Sequence, residues 1–153
     1  MKVTGGLMSS LTDEWPTPIK LFEQLDKEFN FNLDPCANHD NHKCARYYTK
    51  EDNGLSKIWG GSDRIFMNPP YGREIGKWVK KARESAEQNG ALVVALLPAR
   101  TDTKWFLDVM KASEIRFIRG RLKFGDGKTG APFPSLIAIW GLPKMPIIKS
   151  MIV

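Results

Sequence analysis

The chain has 153 residues, 42% hydrophobic and 26% charged, which suits one globular domain with a single core, and no apolar run approaches the length of a membrane span. Twenty-three Lys and Arg against 17 Asp and Glu leave a net charge of +6, a surplus that favours an anionic partner such as nucleic acid, with a basic solvated surface as the plain alternative. Two cysteines make no disulfide framework, and Met1 to Leu11 lacks the apolar stretch of a secretory signal, so a reduced cytoplasmic protein is expected.

In chain order, residues 1–12 form a lead-in rich in Gly and Ser, 13–142 the domain, and 143–153 a tail with no assigned element. Thr17-Pro18 opens a helix, with Thr as the N-cap and Pro at the first helical position, and Leu21, Phe22, Leu25 and Phe29 give it an apolar face. Phe31 to Asp34 reads as a short buried strand ending on a carboxylate. Pro35 to Gly61 is irregular. Arg64 to Met67 is a second short strand, leading into Asn68-Pro69-Pro70-Tyr71.

Ile75, Trp78, Val79, Ala82 and Ala86 form one face of an amphipathic helix that Asn89-Gly90 ends. Ala91 to Leu97 is an unbroken apolar run, the mark of a central strand covered on both sides. Trp105, Phe106, Val109 and Met110 mark a further helix. Ile115 to Phe124 and Ser135 to Trp140 read as strands joined by a Gly- and Pro-rich loop; with no helix between them they are expected to pair antiparallel. Helices alternating with apolar strands imply an α/β fold with a mostly parallel sheet and an antiparallel C-terminal strand. Ligands in such sheets lie at the carboxyl ends of strands, which singles out Asp34 and Asn68.

Asn68-Pro69-Pro70-Tyr71 has a chemical meaning at a strand end. The prolines stiffen the backbone, remove two N–H donors and restrict the asparagine before them. The Asn68 side-chain oxygen and the Pro69 carbonyl can each accept an N–H from a planar amine while Tyr71 stacks on its ring. With both hydrogens held, the nitrogen lone pair turns towards an electrophile, and the proton leaves after the nitrogen has become cationic. A rigid Pro-Pro turn with an Asn cap is the structural alternative.

Further segments carry a resemblance: Trp15-Pro16-Thr17-Pro18, Leu33-Asp34-Pro35-Cys36-Ala37, Gly54-Leu55 with Trp59, Asn68 to Gly72, Leu97-Pro98-Ala99-Arg100, Gly120 to Phe124 and Pro134-Ser135. With them the chain, over roughly Asp13 to Gly141, resembles the phage-type DNA adenine methyltransferase family. The resemblance implies a Rossmann-like S-adenosylmethionine methyltransferase fold and transfer of a methyl group to the exocyclic amine of an adenine flipped from double-stranded DNA, with Asn68, Pro69, Pro70 and Tyr71 catalytic. Leu33 to Ala37 is similar to the first cofactor motif, with Asp34 near the methionine amino group and Pro35, Cys36 and Ala37 beside it. Trp15 and Thr17 fall in the segment that packs over the methionine part, Asp52 and Leu55 near the cofactor adenine, Asn68 at the cofactor as well as at the base, and Phe133 where a second aromatic meets the flipped base. The glycine-rich turn usual after the first strand is absent; Cys36-Ala37-Asn38 stands there.

Arg119, Arg121 and Lys123, alternating along the expected strand, and Lys128 in the following loop are candidate DNA contacts. The loop 125–134 and the segment Arg100 to Lys104 are candidates to read the DNA, since the chain leaves no room for a separate recognition domain. Cys36, His39, His42 and Cys44 are zinc-type ligands, but their spacing is too cramped for finger patterns, so a polar loop without metal is expected. The same tetrapeptide also serves cytosine, RNA and protein glutamine amines, and a non-enzymatic DNA-binding module of the same fold is a further alternative.

Overall fold

The structure, a computed structural model, describes residues 14–125 and 128–153. The lead-in over residues 1–12 lies outside the described residues. The first helix, α1 (Ile19–Phe29), buries Leu21, Phe22, Leu25 and Phe29 on one face. Phe22 sets its ring edge-on to Phe66 at 5.2 Å and lies 5.8 Å from Phe31. Asn30 closes the helix in the left-handed conformation (φ 53°), its N–H bonded to the Asp26 carbonyl. The start differs from expectation. Pro18 occupies the cap position and no side chain caps the helix, because the Thr17 hydroxyl is engaged elsewhere, by Asn68.

Phe31 to Asp34 does not extend into a full strand. Leu33 pairs with Ile65 and Asp34 with Tyr47, both parallel and both as isolated bridges. Residues beyond Asp34 turn away because the Asp34 carboxylate folds the chain back on itself. Only a short 3-10 turn (Gly54–Ser56) breaks the irregular stretch that follows.

The sheet has five strands, β1 (Arg64–Met67), β2 (Leu92–Pro98), β3 (Glu114–Ile118), β4 (Ser135–Trp140) and β5 (Ile147–Met151), in the order β1-β2-β4-β3-β5. β1 and β2 are parallel, β4 is antiparallel to both its neighbours, and β3 and β5 are parallel. Four strands therefore run one way and β4 alone the other. The antiparallel strand lies inside the sheet, between β2 and β3, where Val93 faces Trp140 and Phe117 faces Leu136 across the two ladders. β2 and β4 are buried almost throughout, as strands covered on both faces must be. The C-terminal stretch read as a tail adds β5 at the sheet edge.

α2 (Ile75–Asn89) buries Ile75, Trp78, Val79 and Ala82 and packs on β2 and β4. Gly90 ends it at φ +76°, a conformation that glycine adopts at low cost. The helix expected around Trp105 to Met110 reduces to a single turn, α3 (Phe106–Val109), with Met110 66% exposed. β3 stops at Ile118, six residues short of Phe124, because Gly120 at φ +77° turns the chain out of the ladder.

Candidate active site

Asn68 follows the last residue of β1 and Pro98 ends β2, so both stand at the carboxyl edge of the parallel pair. The Asn68 amide donates to the Trp15 carbonyl at 2.6 Å and to the Thr17 hydroxyl at 2.9 Å. A backbone carbonyl can only accept, so the NH₂ group must face Trp15 and the side-chain oxygen must face the other way. That oxygen is buried and has no hydrogen-bond partner among the described residues. Leaving an acceptor so placed costs about 1–3 kcal/mol, which a structure does not retain without reason.

A cleft of about 260 Å³ opens beside Asn68, with Trp15, Thr17, Asp34, Cys36, Ala37, Pro69 and Pro70 among its walls. This is slightly below the common range of about 300–1,000 Å³ for small-molecule sites. Of the residues expected at the cofactor, six of the nine named above line it: Trp15, Thr17, Asp34, Cys36, Ala37 and Asn68. Pro35 is buried behind them, its carbonyl only 2.3 Å from where a Cβ on Gly54 would stand. Asp52 and Leu55 do not reach the cleft. The Asp52 carboxylate is spent on its own turn, accepting from the Thr49 N–H at 2.9 Å and the Thr49 hydroxyl at 3.0 Å. Leu55 lies by a separate groove along α2.

Asp34 is 5% exposed and its two oxygens accept the N–H groups of Cys36 at 3.3 Å and Lys43 at 2.9 Å. Burial raises its pKa, and the hydrogen bonds from Lys43 and Cys36 offset this in part. The carboxylate thus pins the loop from Cys36 to Lys43 over the cleft. Lys43, Lys50, Glu14 and Glu51 also line it, so both signs of charge converge there. Sequence reasoning missed these four. They sit on irregular chain without periodicity, and only the density of Asn and Asp around Asn38 to Asn41 marks a turn, which Asn38 makes by accepting the Asp40 and Asn41 N–H groups. A zwitterionic amino-acid moiety with a cationic sulfonium needs such a mixed donor set, so the residues present fit S-adenosylmethionine.

His39 and His42 turn away into a stack on the loop. His42 lies flat on Tyr47 at 3.9 Å and bonds the Cys44 carbonyl, while His39 bonds the Tyr47 hydroxyl.

Tyr71 differs from expectation. Its ring is 5% exposed, its hydroxyl donates to the Leu96 carbonyl at 2.9 Å, and its pKa is pushed up by burial. Phe133 packs edge-on against it, with centroids 5.7 Å apart. Trp15, Phe124 and Phe133 complete one aromatic cluster, and the Arg100 guanidinium rests over the Phe133 ring at 5.5 Å.

Arg119, Arg121, Lys123 and Lys128 are all exposed, but they do not form a strand row as expected, since β3 has ended. The segment is nevertheless extended enough for Leu122 and Phe124 to be buried while Arg121 and Lys123 face out. Arg121 bonds the Ala131 carbonyl at 3.3 Å, and the Ala131 N–H bonds the Leu122 carbonyl, so the two sides of the loop are tied.

The site is thus a proline-stiffened Asn at a strand end of an α/β sheet, beside a polar cleft of mixed charge. The chain belongs to the DNA N-6-adenine-methyltransferase (Dam) family, whose pattern it matches over residues 5–140. A DNA N-6-adenine-methyltransferase of Escherichia phage T1 is 33% identical over 138 residues, 79% of this chain and 57% of its own length. The enzyme of the same name from Haemophilus phage HP1 is 36% identical over 134 residues, 85% of this chain and 76% of its own length. The chain thus spans little more than half of the T1 protein. A solved structure described as a predicted O-methyltransferase from Agrobacterium tumefaciens is a weak likeness, at 16% identity and a TM-score of 0.41, covering 89% of this chain and 65% of that one.

Proposed function

We propose that the protein transfers the methyl group of S-adenosylmethionine to the exocyclic amine of an adenine in double-stranded DNA. The observation that carries the reading is the buried, unpartnered oxygen of Asn68, held at a strand end by the two hydrogen bonds that the Asn68 NH₂ donates to Trp15 and Thr17. S-adenosylmethionine would supply an electrophilic methyl group on a sulfonium, and the mixed-charge cleft beside Asn68 is the place for it.

The chain's own residues then have distinct tasks. Asn68 accepts one hydrogen of the target amine and the Pro69 carbonyl the other, which orients the nitrogen lone pair along the line of attack. Trp15 and Thr17 fix the Asn68 rotamer, and Tyr71 and Phe133 bracket the ring. Asp34 holds the loop that frames the methionine end, and its negative charge suits an ammonium group. Arg119, Arg121, Lys123 and Lys128 take phosphates beside the flipped base.

The test is transfer of a labelled methyl group across an acceptor panel: adenine-containing duplex DNA, duplex DNA of guanine and cytosine only, RNA and protein. Label in the first alone supports the reading. Label in the guanine–cytosine duplex, RNA or protein would move the acceptor, and no label with any acceptor, despite cofactor binding by calorimetry, would favour a binding module.

A further inference from the structure

The two rings proposed to bracket the base stand too close together to admit one. A base stacked between two rings needs them parallel and about 7 Å apart, twice the ordinary contact distance. Tyr71 and Phe133 are 5.7 Å apart at 66°. Both rings are nearly inaccessible, at 5% and 6% exposure, and the Asn68 oxygen that would take the amine is buried too. The Asn68 oxygen is therefore reached by a base only after the site rearranges, and the Tyr71–Phe133 pair must part for a base to enter between the rings.

Phe133 is held on three sides by Tyr71, Trp15 and Phe124, and on the fourth by Arg100. Arg100 follows directly on Pro98-Ala99 at the end of β2, beside the Asn68 strand. It is exposed, and no carboxylate lies within ion-pair distance of it among the described residues. Arg116 and Arg83, which are less exposed, are each met by two acids or more, whereas Arg73, Arg119 and Arg121, exposed like Arg100, meet none among the described residues. Over the Phe133 ring, with no carboxylate partner among the described residues, the Arg100 guanidinium has N–H donors that can take a phosphate.

We propose that Arg100 takes a backbone phosphate next to the target adenine, and that exchanging its Phe133 contact for that phosphate couples DNA arrival to opening of the pocket. Charge-assisted hydrogen bonds to a phosphate outweigh a cation–π contact at an exposed site, so the exchange favours the phosphate. Released on that side, Phe133 can swing to let the base in against Tyr71. This rests on the adenine-methylation reading and adds to it a residue and an order of events.

The experiment uses the full chain with a cofactor analogue and duplexes carrying 2-aminopurine at the target position, in stopped flow and in a salt series. Arg100→Gln should lower the salt slope of DNA affinity by about one unit and slow base extrusion at saturating DNA at least tenfold. Arg100→Lys should restore the slope, and cofactor affinity should be the same in all three proteins. An unchanged slope in Arg100→Gln would overturn the proposal, because a merely structural role would leave phosphate contacts alone. A lowered slope with unaltered extrusion would make Arg100 an ordinary phosphate contact and would overturn the coupling. Methyl transfer to adenine DNA by the wild-type protein, run alongside, separates these outcomes from failure of the methylation reading itself.

Discussion

Asn68 shows how far a residue's environment can define its work. A free Asn rotates and offers either end of its amide; here the Trp15 carbonyl and the Thr17 hydroxyl leave one orientation. Thr17→Val removes the hydroxyl but keeps the shape. Turnover should fall on the order of tenfold or more through a loosened Asn68, and Thr17→Ser should recover most of it, as steady-state rates would show. Equal rates for the Val and wild-type proteins would mean that the Trp15 carbonyl suffices. The place of the motif at a strand end was legible in the sequence, because the short run Arg64 to Met67 leads straight into it. The role of Thr17 was misread as a helix cap, since its partner lies 51 positions away and no local pattern announces it.

At the scale of elements, Gly54 is the joint between the cleft and α2. A Cβ there would stand 2.3 Å from the Pro35 carbonyl and 3.2 Å from the Trp78 ring. Behind it, Trp59 is fully buried, lies 6.2 Å from Trp78 and donates to the Gly54 carbonyl at 3.1 Å. Gly54→Ala should therefore lower stability by about 1–3 kcal/mol, the usual range for overpacking, and weaken cofactor binding by shifting Pro35 and the loop after it. Thermal melts and calorimetry on one preparation check both; an unshifted melting temperature would show that the backbone yields there at no cost. Long periodic elements such as α2 and β2 matched their expected bounds closely, because burial on one face or both is written into the spacing of apolar residues. The short ones did not. The expected β3 is six residues longer than the observed one because apolar–basic alternation continues past Ile118, in a chain that leaves the sheet after the Arg119 N–H has met the Met151 carbonyl.

β5 is held by charge more than by apolar burial. Glu114 on β3 is 1% exposed and meets Arg116, Lys144 and Lys149, while Arg116 reaches Glu28 on α1. Burial alone would raise the Glu114 carboxyl, but Lys144, Arg116 and Lys149 hold it down to about 2, from an ordinary 4.5. A carboxyl with a depressed folded-state pKa stabilises the fold fully above its ordinary value and loses that contribution as pH falls from about 4.5 through about 2. The contribution is on the order of 3 kcal/mol. Melting temperature against pH should therefore fall more steeply below 4.5 in the wild type than in Glu114→Gln, which should be less stable at neutral pH. Parallel curves would remove Glu114 from the account. This network was not legible in the sequence, where Glu28, Glu114 and Lys149 are far apart and belong to segments with no shared pattern.

For the whole molecule, the surplus charge of +6 gains meaning from where it lies. Arg119, Arg121 and Lys123 are exposed on the chain that leads to the loop by Phe133, and Phe133 packs on Tyr71. Arg121→Ala should weaken binding to all DNA sequences alike and reduce the salt slope by about one unit, without altering cofactor affinity. Titrations over a salt series measure this, and an untouched slope would send the search to the lysines of α2.

The most direct test of the central claim is the chemical position of the transferred methyl group. Duplex DNA incubated with the protein and S-adenosylmethionine is digested to nucleosides and analysed by mass spectrometry, for the wild type and for Asn68→Ala. N6-methyladenine is expected in the wild-type sample, with a loss of about a hundredfold or more in the variant, the order that follows when a transition-state contact is removed. Methyl groups on cytosine, or N6-methyladenine formed equally well by Asn68→Ala, would contradict the central claim.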